Sequence, residues 1–227
     1  MSTSKDPERR ATFVLARGEK WLLPRIAAAL PRWVLPDHLT AIGIFGSTLV
    51  ALGYILSTHD RHWLWLANGG LLVNWFGDSL DGTLARVRKH ERPRYGFYLD
   101  HLTDAYSTTA VGLGLGFSPY MLLSVGLAIV IAYLVLSINV YLETQAFGVF
   151  RYGYGILGPT EARAVLFLLN VVALVTGPLP FAVHGIRVTA YDVAGAIAAL
   201  SMGGLLLRRV TRNLRELARL EPPRGGG

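Results

Sequence analysis

The stretch GDSLDGTLARVRKHERPRYGFYLDHLTDAY, residues 77–106, decides how this chain folds. It carries four aspartates, Asp78, Asp81, Asp100 and Asp104. The segments NGGLLVNWF before it and STTAVGLGLGF after it have the apolar character of membrane-embedded chain. A charged side chain at the centre of a membrane helix costs roughly 2.5–3.5 kcal/mol on insertion scales. Four such residues close together therefore indicate a functional site.

The composition is that of a membrane protein. Of 227 residues, 52% are hydrophobic and 16% are charged, and the mean hydropathy is +0.40. A soluble domain is about 25% charged. The absence of cysteine excludes disulfides, thiolate zinc sites and thiol catalysis. A net charge of +7 is, in such a chain, more typical of a topology signal than of nucleic-acid binding, so we expect no nucleic-acid partner.

Six stretches reach the roughly 20 residues that a membrane-spanning helix needs. They are residues 39–58, 63–86, 95–118, 119–141, 162–181 and 191–208. With the N-terminus in the cytosol, 20 of the 22 lysines and arginines lie on the cytosolic side, which predicts cytosolic termini. We therefore expect an all-α integral protein of the cytoplasmic membrane with six transmembrane helices. A soluble helical bundle is the alternative, and the spans without a polar face disfavour it.

The chain divides into three predicted segments. Residues 1–38 form a cytosolic N-terminus, residues 39–208 the six-helix domain, and residues 209–227 a basic cytosolic tail. In the first segment, FVLARGEKWLLPRIAAALPRWV alternates apolar and basic residues at helical spacing. This pattern predicts an amphipathic helix in the membrane interface, and a cytosolic helix packed on the bundle is the alternative.

The second and third spans form a predicted antiparallel hairpin around the loop RVRKHERPR. Asp78 and Asp104 are equidistant from its turn, and so, nearly, are Asp81 and Asp100. At about 1.5 Å per residue, all four lie roughly 8–15 Å from the cytosolic helix ends. Spacings of three and four residues put each pair on one helix face. The carboxylates are therefore expected to converge on one point facing the cytosol.

Converging carboxylates repel one another unless a cation joins them. Carboxylate oxygens without histidine or cysteine suit Mg²⁺, Mn²⁺ or Ca²⁺. Two ions would neutralise four carboxylates, and paired metals stabilise both the attacking and the leaving oxygen in phosphoryl chemistry. We therefore expect two ions of Mg²⁺ or Mn²⁺.

Small and basic residues surround the acids. Gly82 and Ala85 leave room for a bulky ligand, and Gly96 could do the same, with helix packing as the alternative. Arg86 and the four basic residues of the loop ring the cytosolic mouth, where they attract a polyanion or act only as a topology signal.

The pattern Asp78-x₂-Asp81-Gly82-x₂-Ala85-Arg86-x₉-Gly96-x₃-Asp100-x₃-Asp104 resembles the signature of the CDP-alcohol phosphotransferase family at all eight positions. LPDHLT, residues 35–40, resembles the Pro-Asn-x-x-Thr segment with which the family's first span begins, except that Asp37 replaces asparagine.

The resemblance implies an enzyme that moves a substituted phosphate from a CDP-linked donor to an alcohol and releases CMP. It implies metal binding by the four aspartates, with Asp104 also the candidate catalytic base. The CDP moiety is implied to lie along Asp78, Asp81, Gly82, Ala85, Arg86 and Gly96. His101 is a candidate base or orienter, with an ordinary surface histidine as the alternative. A homodimer is common among members.

The substrates stay open at this point. CDP-diacylglycerol with a phosphorylated alcohol requires a second cationic pocket, for which Arg163 and Arg208 are the preferred residues and Arg151 and Arg209 further candidates. Helix-end anchoring is the alternative for each of them.

LDHLTDAYST and YLETQAFG…GPTEAR resemble a subfamily that transfers phosphocholine or phosphoethanolamine from CDP-choline or CDP-ethanolamine to diacylglycerol. From other classes, a carboxylate-lined cation transporter and a non-catalytic lipid-binding scaffold remain as hypotheses. Metal-dependent CMP release separates the enzyme from both.

Overall fold

The structure, a computed structural model, describes residues 15–147, 158–183 and 185–221. In these ranges the regular structure is α-helical apart from a short 3₁₀ turn at Arg61–Trp63 and one two-stranded antiparallel hairpin. The helices are α1 (Ala16–Ala29), α2 (Pro36–Leu56), α3 (Leu64–Val87), α4 (Pro93–Gly116), α5 (Leu123–Phe147), α6 (Pro159–Thr176) and α7 (Ala190–Leu220). The strands are β1 (Phe181–Val183) and β2 (Ile186–Val188). The all-α prediction is confirmed.

Local sequence explains where several helices begin. Prolines open α2, α4 and α6, at positions 36, 93 and 159. Proline suits the first helical turn because its fixed φ is helical and the missing N–H would have no partner there. At α7, Thr189 and Asp192 form a capping box, in which the Thr189 N–H donates to Asp192 Oδ2 at 2.8 Å.

Four helices are long and apolar enough to cross a membrane: α2, α5, α6 and α7. Helices α3 and α4 are not among them, although each has 24 residues, about 36 Å at the usual rise. These are the two helices that carry the four aspartates, which lowers their hydropathy. Six spans therefore stay a prediction, while several apolar helices support an integral membrane protein.

Close backbone contact between α2 and α3 is made by a glycine seam, which we define as Gly43, Gly46 and Gly53 of α2 with Gly70 and Gly77 of α3. A Cβ placed on Gly77 would lie 2.3 Å from the Gly43 nitrogen, and one on Gly46, Gly53 or Gly70 would lie under 3.0 Å from backbone atoms of the facing helix. Small residues at such positions let helices approach closely. The seam presses the acidic end of α3 directly against the first turns of α2.

A buried polar network joins four helices at the end of the bundle away from the acids. The hydroxyls of Tyr54 in α2 and Tyr191 in α7 both donate to Asn170 Oδ1 in α6, at 3.0 and 2.8 Å. Asn170 Nδ2 donates to Asn68 Oδ1 in α3 at 2.8 Å. Because a buried polar group without a partner is costly, the network fixes the relative positions of these helices.

Helix α1 packs on the acidic end of the bundle. Leu23 and Ala27 are buried against α3, and Glu19 accepts hydrogen bonds from Trp75 Nε1 in α3 at 2.9 Å and Thr160 Oγ1 in α6 at 2.7 Å. The helix is therefore fixed to the bundle on one face. Its placement in the membrane interface stays a prediction.

Candidate active site

A pocket opens where α2, α3 and α4 meet, at the acidic end of the glycine seam. Its lining consists of Thr40, Gly43, Ile44, Asn74, Asp78, Asp81, Thr103 and Ser107. Two of the predicted metal ligands thus share one polar cavity with residues of all three helices.

Asp81 is held by α2 and by its own helix. Thr40 Oγ1 donates to Asp81 Oδ2 at 2.7 Å, and the Gly82 N–H lies 2.5 Å from Asp81 Oδ1. Thr40 is buried, so its hydroxyl has little access to water. The contact orients one carboxylate oxygen and leaves acceptor capacity on both.

Asp78 is paired with an arginine from α6. Arg163 Nη2 lies 2.5 Å from Asp78 Oδ2, and Arg163 Nε donates to Asn74 Oδ1 at 2.8 Å. Asn74 in turn donates to the Gly43 carbonyl at 2.9 Å. The structure therefore places Arg163, a predicted acceptor-phosphate residue, in direct contact with Asp78. Asn74, which the sequence analysis missed, lies one turn before Asp78 on the same helix face.

Asp100 and Asp104 of α4 complete the acidic cluster. Asp104 is partly buried and is repelled by Asp78, Asp100 and Asp81, while Arg163 attracts it. Asp81 is repelled by Asp78 and Asp100. All four carboxylates are therefore close enough to act on one another electrostatically, with one arginine offsetting part of their charge.

The donor set fits a hard divalent cation, since it consists of carboxylate oxygens that repel one another and lacks histidine and cysteine. Among the described residues, however, no three acidic or histidine side chains are gathered closely enough to hold a metal ion. Existing contacts explain in part why the carboxylates are not closer together, because one oxygen of Asp78 binds Arg163 and one oxygen of Asp81 binds Thr40. Metal binding by the four aspartates stays a prediction.

The small residues of the signature border open space. A Cβ on Gly82 would meet only Arg86 Nη1, at 3.4 Å, and one on Gly96 would meet nothing within 4 Å. Arg86 is exposed and donates to Thr83 Oγ1 at 3.0 Å, while Ala85 is half-buried. The surface available for a ligand lies on the side of α3 that carries Gly82. The assignment of this surface to CDP stays a prediction.

Two loop arginines at the mouth have structural partners. Arg88 donates to backbone carbonyls that follow α1, at 3.0 Å to Leu30 and 2.8 Å to Pro31. Arg92 pairs with Asp37 and stacks 3.9 Å from the centre of the Tyr95 ring. The hydrogen bond to Asp37 raises the pKa of Arg92 further above its usual value. These contacts anchor the loop to α2 and to the segment after α1.

The other arginine candidates lie apart from this cluster. Arg208 is exposed on α7. Its neighbour Arg209 is buried, and its Nε lies 3.3 Å from Glu143 Oε1 of α5, which also accepts from Asn213 Nδ2 at 2.5 Å. Arg151 lies outside the described residues. Of the four candidates, Arg163 is the one with a contact to the acids in the described part of the chain.

His101 packs between α4 and α5. Its ring lies 4.2 Å from that of Phe97 and 5.2 Å from that of Tyr141. Its Nδ1 is 2.8 Å from the Phe97 carbonyl, which can only accept, so Nδ1 carries the proton. Asp100 Oδ2 lies 3.7 Å from the same nitrogen. An orienting role towards Asp100 stays a prediction.

Replacing Thr40 by valine should weaken divalent-metal binding by about tenfold, because outer partners that orient ligating groups typically contribute 10–100-fold to metal affinity. Thr40→Ser, which keeps the hydroxyl donor to Asp81, should bind nearly as wild type. The measurement is a Mn²⁺ titration followed by paramagnetic resonance. Equal affinity of the valine and serine variants would show that the hydrogen bond does not orient Asp81.

Replacing Arg209 by methionine should lower the free energy of unfolding by about 3–5 kcal/mol, since it leaves the Glu143 carboxylate buried without its counter-charge. Arg208→Met, on the exposed neighbouring position, is the matched control and should change stability little. Thermal unfolding in detergent compares the two variants. Similar losses in both would contradict the structural role of the Glu143–Arg209 pair.

Comparison with known proteins agrees with the motif. A sequence model described as CDP-alcohol phosphatidyltransferase matches residues 33–202. Among curated proteins, a phosphatidylinositol phosphate synthase of Cutibacterium acnes is 33% identical over 96 residues, which is 42% of this chain and 44% of that relative. The match thus spans less than half the length of the relative. The family match covers most of the chain, including all eight signature positions, and the chain belongs to the CDP-alcohol phosphatidyltransferase family.

Proposed function

We propose that the protein is a phospholipid-synthesising enzyme that transfers a phosphatidyl group from CDP-diacylglycerol to a phosphorylated alcohol and releases CMP. The observation that carries the proposal is that Asp78 and Asp81 of the family signature line one pocket between α2, α3 and α4, with Arg163 in contact with Asp78. An arginine beside the reaction site suits an acceptor that bears a phosphate.

The curated relative supports the choice of acceptor. Its name, phosphatidylinositol phosphate synthase, describes a lipid product that retains a phosphate. Together with Arg163, this favours a phosphorylated cyclic or linear polyol as acceptor. Family membership supports a CDP-linked donor.

The membrane arrangement belongs to the same proposal. Helices α3 and α4 cross the membrane together with the four apolar helices, because α2 packs on both and α3 also packs on α6. The basic residues place both termini and the aspartates on the cytosolic side. A lipid-anchored donor then meets a water-soluble acceptor at the depth of the acids.

The chain's own residues supply binding and proton transfer. Gly82, Ala85 and Gly96 leave the helix surfaces open to the CDP moiety, and Arg86 adds a positive charge beside its phosphates. Asp104 takes the proton from the acceptor hydroxyl, whose oxygen forms a bond to the β-phosphorus while the bond to CMP breaks. Mg²⁺ or Mn²⁺ held by the four aspartates supplies neutralisation of the pyrophosphate charge when bound. Positioning and charge stabilisation are the main contributions expected in such a transfer.

A second candidate is phosphocholine or phosphoethanolamine transfer from CDP-choline or CDP-ethanolamine to diacylglycerol. The segment LDHLTDAYST favours it, and it places Asp100, His101 and Asp104 on one stretch of α4. This acceptor carries no phosphate, so Arg163 would have no anion to bind. The two candidates therefore differ in what they require of α6.

The experiment is CMP release by the purified full chain with Mg²⁺. One set of reactions pairs CDP-diacylglycerol with inositol phosphate, glycerol 3-phosphate, inositol and serine, and the other pairs CDP-choline or CDP-ethanolamine with diacylglycerol. We expect release with CDP-diacylglycerol and a phosphorylated alcohol. Release only in the second set would replace the proposed donor, and release in neither set would oppose the enzymatic function.

A further inference from the structure

The arginine of the ion pair between Asp78 and Arg163 is held in place by a buried amide. The two side chains are only 24% and 16% exposed, and Nη2 lies 2.5 Å from Oδ2. The guanidinium also donates through Nε to Asn74, which is 7% exposed and is itself bonded to the Gly43 carbonyl. The buried Asn74 amide therefore holds Arg163 in a position where its charge faces one oxygen of Asp78.

This position of Arg163 conflicts with the metal-binding role that the family signature implies for Asp78. A divalent cation on the Asp78 carboxylate would be repelled by the guanidinium that lies on Oδ2. In the part of the chain that the structure describes, no group of acids is closed around a metal ion, and one oxygen of Asp78 is engaged by the arginine. Uptake of a cation and retention of the ion pair therefore oppose each other.

We infer that Arg163 has two positions, one on Asp78 in the absence of metal and one released from it when the carboxylate takes up a divalent cation. A released guanidinium in a partly buried place needs a new anion, because an uncompensated buried charge is strongly unfavourable. Metal uptake thereby creates the anion site that the acceptor's phosphate fills. This last step rests on the proposed function.

Metal binding and phosphate binding are linked because both depend on the position of Arg163. If metal frees Arg163 for an anion, then by reciprocity a phosphate that holds Arg163 away from Asp78 strengthens metal binding by the same factor. Metal and phosphorylated acceptor then bind cooperatively, and the acceptor site is incomplete until the metal is present. The inference adds a binding order to the proposed reaction.

The first test is a Mn²⁺ titration of the detergent-purified full chain without nucleotide or alcohol. Arg163→Gln should bind Mn²⁺ about tenfold more tightly than wild type, since a competing charge-assisted hydrogen bond is lost. The matched control is Arg94→Gln, which removes the same charge from an exposed position in the first turn of α4, and it should change the affinity less than about twofold by screened electrostatics alone. Unchanged or weaker binding in Arg163→Gln, or equal tightening in both variants, would overturn the inference.

The second test uses the unaltered protein, so it does not depend on the folding of a variant. In ¹⁵N-arginine-labelled protein, the Arg163 Nε–H signal should exchange faster with water on saturation with Mg²⁺, and inorganic phosphate should slow it again. A signal that keeps its exchange rate at saturating Mg²⁺ would overturn the inference. Neither test uses turnover. Release of Arg163 by metal in a protein that produces no CMP would reject the proposed enzymatic function but not the two positions of Arg163. CMP production by a protein in which Arg163 stays on Asp78 would reject the two positions but not the enzymatic function.

Discussion

Asp104→Asn is expected to reduce Mg²⁺-dependent CMP release by about 10³-fold, within the 10²–10⁴ range that a positioned general base contributes. The asparagine amide cannot take the proton of the acceptor hydroxyl. It also removes one charge from a cluster in which Asp104 interacts with the other three aspartates and with Arg163. The loss should therefore persist at saturating donor and acceptor.

The control for Asp104 is Asp60→Asn, which changes the same functional group in the exposed turn between α2 and α3. It should keep wild-type activity. Both variants are compared by initial rates of CMP release after their thermal unfolding has been shown to match that of wild type. An Asp104→Asn protein that retains more than about a tenth of the activity would contradict its role as the base.

Gly77→Ala is expected to destabilise the protein by about 1–3 kcal/mol, the usual cost of forcing extra atoms into a packed contact. The added Cβ would lie 2.3 Å from the Gly43 nitrogen and 2.4 Å from the Leu39 carbonyl oxygen, both backbone atoms that cannot move aside alone. Helices α2 and α3 must separate, which draws Asp81 away from Thr40. We therefore expect activity to fall together with stability.

The matched control is Gly69→Ala on the same helix, where an added Cβ meets nothing within 4 Å. In a helix interior, alanine is favoured over glycine by roughly 0.5–1 kcal/mol, so this variant should be as stable as wild type or slightly more so. Thermal unfolding and CMP release are measured for both variants. Equal behaviour of the two would show that the glycine seam does not set the position of the acids.

The two helices that carry the acids were predictable because their signals are local and periodic. The six predicted spans overlap helices α2 to α7, with ends that differ by up to six residues except that α7 continues to Leu220, beyond the predicted end at residue 208. The apolar runs that predict them needed no knowledge of neighbouring helices. The family was equally accessible, since the eight signature positions lie within residues 78–104 and the family match confirms it. Equal distance from one turn predicts that the acids lie at one depth, and this common depth stays a prediction.

Contacts between distant helices were not predictable in the same way. Thr40 and Asn74 carry no periodic signal, and their roles appear only when α2 and α6 are placed beside α3. Arg208 and Arg209 show the limit of one-dimensional reasoning. Successive helical residues differ by about 100° around the axis, so the face that meets α5 decides which of the two is buried.

The proposed enzyme transfers a substituted phosphate, and following the phosphorus of that group tests this activity directly. Wild-type protein is incubated in lipid vesicles with Mg²⁺, inositol phosphate or glycerol 3-phosphate, and CDP-diacylglycerol labelled with ³²P at the β-phosphorus. We expect the label to enter a new lipid containing the alcohol, with one unlabelled CMP for each lipid formed and no lipid or CMP formed when metal is removed. Label that stays in the donor, or that appears only in phosphatidic acid while the protein is folded and metal-bound, would contradict it.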